Sequence, residues 1–445
     1  MFRAFHSARA SKRTQLTSKF ALALALTAGV AVGAAGFAEP AYAQQKKGKA
    51  GQNSKGFVAA YEPVNKALEA VPEGGDYSSV KAQIPTLLAA AENEDDRMVA
   101  GQMVLVIGNK STDPKLQRQG LELMLSSGKV PAEQVGQFQY FVANLAYQAD
   151  DFTAARTALE AATAAGFTDE QLPALMAETY FGTNAKKEGL NYLIKAARDR
   201  QAAGQAVPES WMLRGLQVSY EMKDAAASND LAALLVTASP TPKNWQAALQ
   251  VMREVNSTWT TEEILDLSRL MMDSGGMRTD NDLAEYIDAA DPRKLSNEVL
   301  AALDTATKAG VINATAPRFA DIRQIAQDRA ASDRAEAPHA KTEAQAAASG
   351  TVAFGAGDLF LSIGNYADAE AMYQLAIDKG GVDANRALTR KGIAQARQGK
   401  TAEAKATLAQ VQGTRAPLAN LWAIYAEKGS NSGATAAAGV PTPVS

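Results

Sequence analysis

Apolar and small residues recur at helical spacing almost without a break from Phe57 to about Glu427. Positions three, four and seven apart carry Ala, Leu, Val or an aromatic ring, which is the spacing of one face of an α-helix. Alternation of apolar and polar residues, which would indicate strands, is nearly absent. Turn-forming Gly, Asn, Asp and Pro residues interrupt the pattern roughly every 15 to 20 residues. The chain is therefore predicted to fold as all-α helix hairpins.

The clearest unit lies between residues 350 and 412. Its predicted first helix contains Gly357, and its second helix carries Ala369, Tyr373 and Ala376 at i, i+4 and i+7 on one face. Gly364 lies at the turn between them. Equivalent residue types return about 35 positions later, at Gly392, Gly399, Ala404, Leu408 and Val411. The small residues let helices approach closely, and the bulkier ones fill the space between neighbours.

A second block has the same arrangement of small, turn and bulky residues. Its positions are Ala143, Asp150, Asp151, Phe152, Ala155, Leu159 and Ala162, and about 34 residues later Ala177, Asn184, Gly189, Leu193 and Ala196. A looser copy follows at Trp211, Gly215, Ala227 and Leu231. Asp151 and Asn365 are predicted N-caps of second helices, because a short side-chain oxygen can accept a free backbone N–H there.

The blocks at residues 137–166, 171–200 and 350–412 resemble tetratricopeptide-repeat proteins, whose period is about 34 residues. The resemblance implies an α-solenoid, a right-handed superhelix of antiparallel helix pairs. It also implies a concave face, lined by the first helix of each pair, that holds a peptide or protein partner. The chain is similar to an exported bacterial member of this family.

The resemblance also indicates which residues line the groove. Carried over position by position, these are Tyr140, Asn144, Tyr147, Glu178, Phe181, Tyr220, Phe354, Asp358, Arg386, Arg390 and Arg397. Asn144 matches one position of the family's clamp for a C-terminal carboxylate, but Tyr140 stands where the clamp needs Lys. No carboxylate clamp is therefore expected in the N-terminal array.

Two stripes of these residues have chemistry of their own. Arg386, Arg390 and Arg397 are spaced i, i+4 and i+11 on one helix face, so they could pair with carboxylates of an acidic or C-terminal peptide. The alternative is a solvated face, or pairing with the chain's own acids, such as Asp358 and Asp383. The stripe of Tyr140, Asn144 and Tyr147 suits peptide or sugar contacts, or else it packs against the adjacent repeat.

The N-terminus has the features of an export signal. A basic leader precedes an uncharged apolar run at 20–38, and Ala41-Tyr42-Ala43 offers an A-x-A cleavage site. We therefore expect a periplasmic protein, with an uncleaved membrane anchor as the alternative. No other stretch is apolar enough to span a membrane.

The remaining segments follow from composition and periodicity. The predicted order is a signal peptide at 1–43, a disordered linker at 44–55, an N-terminal array at 56–240, an irregular helical region at 241–349, C-terminal repeats with a capping helix at 350–428, and a disordered tail at 429–445. Helices in the irregular region are predicted at 243–255, 261–273, 279–289, 296–309 and 317–336. Pro338 is expected to end or bend the last of them.

Composition excludes several kinds of site. There is no cysteine, which excludes disulfides, thiolate zinc sites and cysteine nucleophiles. Without the signal peptide the only histidine is His339, so a catalytic triad would depend on it alone. Removing residues 1–43 takes five basic residues and one acidic residue from totals of 45 and 48, which leaves a net charge of −7. That charge argues against nucleic acid as a partner.

Short motifs do not change this interpretation. Glu209-Ser210 resembles the start of the lytic transglycosylase motif, but the downstream element is missing and Glu209 suits a first helical turn. Clusters of acids near residues 92–96 and 280–285 lack the Gly of a calcium loop and suit helix starts. We expect no metal or cofactor. The predicted function is a non-enzymatic periplasmic scaffold that binds a protein or peptide, with an envelope glycan or exopolysaccharide assembly factor as the alternative.

Overall fold

The computed structural model describes residues 53–313 and 316–429. All regular structure in these ranges is helical, and within 53–131 and within 132–429 most helices adjacent in sequence pack against one another. This confirms the predicted all-α array. The signal peptide, nearly all of the linker and nearly all of the C-terminal tail lie outside the described residues. Within the described part of the chain, no helix is both long and apolar enough to span a membrane.

The chain divides into two compact units, Met1–Pro131 and Ala132–Ser445. The helices of the first unit are α1 (Lys55–Ala70), α2 (Ser78–Lys81), α3 (Ile84–Ala89), α4 (Glu94–Lys110) and α5 (Pro114–Ser126). The helices of the second unit are α6 (Ala132–Gln148), α7 (Phe152–Ala164), α8 (Leu172–Gly182), α9 (Lys186–Ala202), α10 (Glu209–Met222), α11 (Ala225–Ala238), α12 (Pro242–Val255), α13 (Thr261–Asp273), α14 (Asp280–Ala290), α15 (Ser296–Lys308), α16 (Pro317–Ala346), α17 (Gly350–Ser362), α18 (Tyr366–Lys379), α19 (Ala384–Arg397), α20 (Thr401–Leu408) and α21 (Ala416–Gly429).

Helices α4 and α5 of the first unit form a hairpin with very close backbones. A Cβ atom on Gly120 would lie 2.5 Å from the backbone nitrogen of Leu105, and one on Gly101 would lie 2.7 Å from Met124. Only glycine fits where backbones come this close. Gly101, Gly120 and Met124 therefore meet at one close contact between the two helices.

The hairpins of the second unit share a turn and a cap. Between the two helices of a pair stands a residue with positive φ, at Asp150, Asn184, Lys223, Gly364 and Gly399. In three pairs the following residue caps the second helix: Asp151 accepts from the backbone N–H of Ala154 at 3.1 Å, and Asp224 and Asn365 make the equivalent bond. This satisfies one of the free N–H groups at the helix start.

Within a pair, one small residue faces one bulky residue. A Cβ atom on Gly357 would lie 2.7 Å from the ring of Tyr373, and one on Gly392 would lie 2.5 Å from Leu408. Both bulky side chains are buried. The small and bulky positions predicted from the sequence are thus the points where the paired helices touch.

The middle of the second unit contains the helices predicted there, with one correction. Helices α12 to α15 match the predicted bounds to within one residue, but α16 runs past residue 336 and through Pro338 to Ala346. Pro338 has no N–H, so the carbonyl of Arg334 loses its helical hydrogen-bond donor. Both residues are exposed to solvent. Lys379 then stabilises the end of α16, since its Nζ donates to the carbonyls of Ala344 and Gln345 at 2.7 and 2.8 Å.

The last helix, α21, lies against helices from the middle of the second unit. Leu418, Leu421 and Trp422 are fully buried, and Tyr425 stands edge to face with Trp245 of α12 at 6.2 Å. The indole N–H of Trp422 donates to the backbone carbonyl of Asp266 in α13 at 3.0 Å. The predicted capping helix therefore also ties the C-terminal repeats to α12 and α13.

Two glycines of α17 provide a matched test of the small-to-bulky contact. We expect Gly357→Ala to lower the free energy of unfolding by about 1–3 kcal/mol, because the new methyl group overlaps the ring of Tyr373. Gly355→Ala on the same helix meets nothing within 4 Å, so it should be neutral or stabilising by about 0.5–1 kcal/mol. Urea unfolding followed by circular dichroism measures both. Equal midpoints for the two variants would contradict the packing role of Gly357.

Candidate functional site

Arginines of α19 pair with acids of α13 in a regular ladder. Arg386 Nη2 lies 2.6 Å from Glu262 Oε2, and Arg397 Nε donates to Asp273 Oδ2 at 2.8 Å. Between these rungs, Arg390 Nε donates to Asp266 Oδ1 at 3.2 Å. In each rung the partners are 124 residues apart in sequence. The two helices therefore run parallel and in register along the ladder.

Asp266 is the centre of the ladder and is completely buried. Besides Arg390, its carboxylate accepts from Arg269 Nη1 at 2.8 Å and from Arg415 Nη1 at 2.7 Å. Burial alone would raise the pKa of Asp266, but the charges of the three guanidinium groups outweigh burial and hold this pKa well below its ordinary value. The carboxylate is therefore ionised inside the core.

Arg390 is also buried, and every nitrogen of its guanidinium group is used. Nη1 donates to both oxygens of Asp358 at 2.7 Å, Nη2 donates to Glu262 at 2.5 Å, and Nε reaches Asp266. Tyr373 donates its hydroxyl to Asp358 at 2.7 Å. Phe354 completes this surface, with the guanidinium groups of Arg386 and Arg390 4.6 and 5.4 Å from its ring centroid.

A second buried ion pair continues the network from α13 to α15. Arg269 donates to both oxygens of Glu298, at 2.6 and 2.7 Å, and Tyr286 donates its hydroxyl to the same carboxylate at 2.6 Å. Burial would raise the pKa of Glu298, but the adjacent Arg269 outweighs it and lowers this pKa to about 2. The backbone N–H of Glu298 donates to Ser362 on α17, which links the ion pair to the C-terminal repeats.

The structure brings four of the five predicted C-terminal groove residues into contact with one another, the fifth, Arg397, pairs with Asp273, and the partner of all five is the chain itself. Those residues are Phe354, Asp358, Arg386, Arg390 and Arg397. Of the alternatives left open by the sequence, pairing with internal acids is the one observed. Asp358 is such a partner, whereas the side chain of Asp383 accepts from the backbone N–H of Arg386 as an N-cap.

In the predicted stripe of Tyr140, Asn144 and Tyr147, the first residue is buried and the other two are half-buried. Tyr140 is buried, donates its hydroxyl to Asp169 at 3.1 Å and stacks on Phe167 at 5.0 Å. Asn144 is half-buried and donates to the backbone carbonyl of Tyr140. Tyr147, also half-buried, contacts Phe152 edge to face at 5.6 Å. Tyr140 therefore packs within the array, while Asn144 and Tyr147 keep part of their surface in solvent.

An ion pair that the sequence did not indicate joins α8 to α10. Arg214 donates from Nε and Nη2 to both oxygens of Glu178, at 2.5 and 3.0 Å, and its guanidinium carbon lies 5.4 Å from the ring centroid of Phe181. The side chains of Glu178 and Arg214 remain 25% and 38% exposed. Gln217 accepts from Arg214 Nη1 at 3.3 Å. Burial would lower the pKa of Arg214, but the hydrogen bond and charge of Glu178 outweigh it and raise this pKa.

We call this surface the first-helix face. Its residues are Asn144, Tyr147, Glu178, Arg214, Gln217 and Tyr220. Tyr220 is half-buried near the end of α10. The ion pair of Glu178 with Arg214 joins α8 to α10, and Asn144 is held within α6 by the backbone carbonyl of Tyr140. Each side chain of this face keeps some exposure. Asn144, Tyr147, Glu178 and Tyr220 belong to the predicted groove, whereas Arg214 and Gln217 do not.

Other candidate residues from the sequence analysis are exposed or form local hydrogen bonds. His339 is 72% exposed and 3.9 Å from Glu336. Glu209 accepts from the hydroxyl of Ser239. Asp96 and Asp282 belong to the capping boxes at the starts of α4 and α14. Among the residues described, no group of three or more His, Asp or Glu side chains is placed to hold a metal ion.

No protein-family model and no curated protein matches this sequence. The second unit is identified as a helical repeat by three features that recur in its helix pairs. These are the turn with positive φ, the N-cap of the second helix and the contact of a small residue with a bulky one.

Removal of the guanidinium group of Arg390 should strongly lower the free energy of unfolding. Arg390→Met would leave Asp266, Asp358 and Glu262 with less compensation in a buried setting, so we expect the free energy of unfolding to fall by about 3–5 kcal/mol. Arg198→Met removes an exposed pair with Asp230 and should cost no more than about 1 kcal/mol. Urea unfolding of both variants measures the difference. Similar losses would contradict a central role for Arg390.

The ion network also predicts a pH dependence. Glu298 has a pKa of about 2 in the folded chain and an ordinary value of 4.5. As the pH falls through this window the unfolded chain binds the proton first, so the stability contribution present above about pH 4.5 is lost towards pH 2. We expect the urea midpoint of the native chain to fall more steeply between about pH 5 and pH 3 than that of Glu298→Gln. Parallel pH profiles would contradict this assignment.

Proposed function

We propose that the protein is a non-enzymatic scaffold of the bacterial periplasm, of tetratricopeptide type, that binds a protein or peptide along its first-helix face. The export signal in the sequence supports the location. The repeated helix pairs support the class, because such arrays present long surfaces made of equivalent positions.

The observation that carries this proposal is that the predicted groove residues near the C-terminus bind another helix of the chain. There, Arg386, Arg390 and Arg397 on a first helix contact another helix of the same chain over three rungs. The first helix of a pair in this protein can thus bind another helix along one face. The first-helix face lies on the first helices α6, α8 and α10, and it keeps its side chains partly exposed.

The chemistry of the first-helix face suits a polypeptide. Amide side chains such as Asn144 and Gln217 offer both donors and acceptors, which fit the backbone of a bound segment. Arg214 is held rigidly by Glu178, so little conformational entropy is lost when its remaining N–H groups bind a carbonyl or carboxylate. Tyr147 adds aromatic surface with few rotatable bonds.

An envelope glycan is the second candidate. The same combination of amides with a tyrosine ring, at Asn144, Gln217 and Tyr147, suits hydroxyl groups and the apolar face of a sugar. In this case the protein would assemble or retain a polysaccharide, and no protein partner would be needed for binding.

Affinity capture from envelope extracts separates the two candidates. The face variant is Asn144→Ala with Gln217→Ala, which removes two exposed polar contacts and leaves the pair of Arg214 with Glu178 intact. The control is Asn191→Ala with Lys195→Ala, two exposed positions of α9. We expect the native chain and the control to retain a protein partner, and the face variant to bind it about tenfold more weakly, because each lost contact is worth about 0.5–1.5 kcal/mol.

The readouts are the captured protein bands and the sugar content of the captured material. Enrichment of peptidoglycan or polysaccharide without protein would favour the glycan candidate and overturn the peptide-binding one. Equal capture by the face variant and the control would remove the first-helix face from the binding site.

A further inference from the structure

The contact between the C-terminal repeats and α13 separates charges by sign. Residues 350–429 contribute only arginines to its ion pairs, and α13 contributes only acids. We call Arg386, Arg390, Arg397 and Arg415 the arginine face. Their acidic partners on α13 are Glu262, Glu263, Asp266 and Asp273. This arrangement differs from the mixed charges within a repeat and is typical of two surfaces that recognise each other.

Spacing gives the contact its specificity. The carboxylates of Glu262, Asp266 and Asp273 stand at i, i+4 and i+11, and the guanidinium groups that meet them have the same spacing on α19. Recognition therefore depends on the position of three carboxylates along a helix. Another helix with the same three positions would meet the same guanidinium groups.

Helix α13 does not use all the donors that the arginine face offers. Arg386 Nε and Arg415 Nε are buried and have no hydrogen-bond partner in the described part of the chain. The nearest acid to Arg415 Nε is Glu263, whose Oε1 is 3.4 Å away. Unpaired buried N–H groups cost free energy. A helix with acceptors at these two places would bind the arginine face more completely than α13 does.

The contact is also of a kind that can be exchanged. Charges brought out of water lose hydration, and their attraction in the interior does little more than offset this loss. When two such surfaces separate, both are hydrated again, so the ionic part of the contact adds little to the cost of separation. The remaining cost comes from apolar side chains that α13 also buries, such as Leu265 and Leu270. The outer rung is already close to solvent, with Glu262 39% and Arg386 27% exposed.

We propose that the arginine face is a recognition surface for an acidic helical segment of a partner protein, and that α13 is its occupant within the chain. The partner carries carboxylates at i, i+4 and i+11 on one helix face. It competes with α13 for the guanidinium groups of Arg386, Arg390 and Arg397. This surface lies on α19 and the segment around Arg415, apart from the first-helix face, so either could fail without the other.

A peptide of residues 256–275, which contains α13, is the probe for this proposal. It is labelled with a fluorophore and titrated with the full chain, and binding is measured by fluorescence anisotropy at low salt. The receptor is compared with an outer-rung variant, Glu262→Gln with Asp273→Asn, which weakens the contact of its own α13 and leaves Asp266 in place. A matched control receptor carries Asp304→Asn with Glu221→Gln, two acids at least 46% exposed and away from α13.

We expect the outer-rung variant to bind the peptide at least about tenfold more tightly than the native chain or the control receptor. A peptide with Glu262, Asp266 and Asp273 replaced by their amides should not bind. Binding should also weaken as the salt concentration rises, because each rung is ionic. Circular dichroism of the variant checks that its helices are formed, and Glu262→Gln alone replaces it if the double variant does not fold.

Three results would overturn the proposal. The first is a folded outer-rung variant that does not bind the acidic peptide. The second is equal binding of the acidic and amide peptides, which would exclude ionic recognition. The third is a concentration-dependent dimer of the variant in sedimentation, since the arginine face would then be occupied by α13 of a second copy and not by a separate partner.

Discussion

A carboxylate buried with three guanidinium groups is the constraint on which the second unit depends. Asp266 meets Arg269 of its own helix, Arg390 of α19 and Arg415 before α21. Taking a single charge out of water is unfavourable by several kcal/mol, so none of these groups can be buried without the others. Segments about 125 to 150 residues apart must therefore arrive together. Because a helix shifted by one residue would break all three rungs, the network fixes the register of α13 against α19 more strictly than apolar contacts would.

Two kinds of contact act at different distances along the chain. Within a pair, Gly357 against Tyr373 and Gly392 against Leu408 need only neighbouring helices, so each pair can form locally. The arginine face needs the middle of the unit to be in place before its charges find partners. Packing thus builds the pairs, and the buried charges select how the C-terminal pairs meet α13.

The local contacts could be predicted from the sequence, and the long-range ones could not. A repeat with a small residue at Gly357 and a bulky one at Tyr373 predicts their contact, because the helix period sets which faces meet. The sequence predicts Arg390 on the face that lines the groove, but its partner Asp266 depends on how helices 124 residues apart meet, which the period does not encode. One signal was present: Glu262, Asp266 and Asp273 have the spacing of the arginines. The contact of Arg214 with Glu178 cannot be predicted from one repeat either, because it joins two of them.

The arginine face and the first-helix face differ in how many of their polar groups are already paired. Along α19 the guanidinium groups are mostly buried and paired, so a ligand there must replace an existing helix and is limited to acidic ones. Along α6, α8 and α10 one ion pair, Arg214 with Glu178, stands among amide and tyrosine side chains. In the proposed function, a ligand there would displace only water and would be selected mainly by hydrogen bonds. The two surfaces therefore differ in what a ligand would displace, which is a helix of the chain at the arginine face and water at the first-helix face.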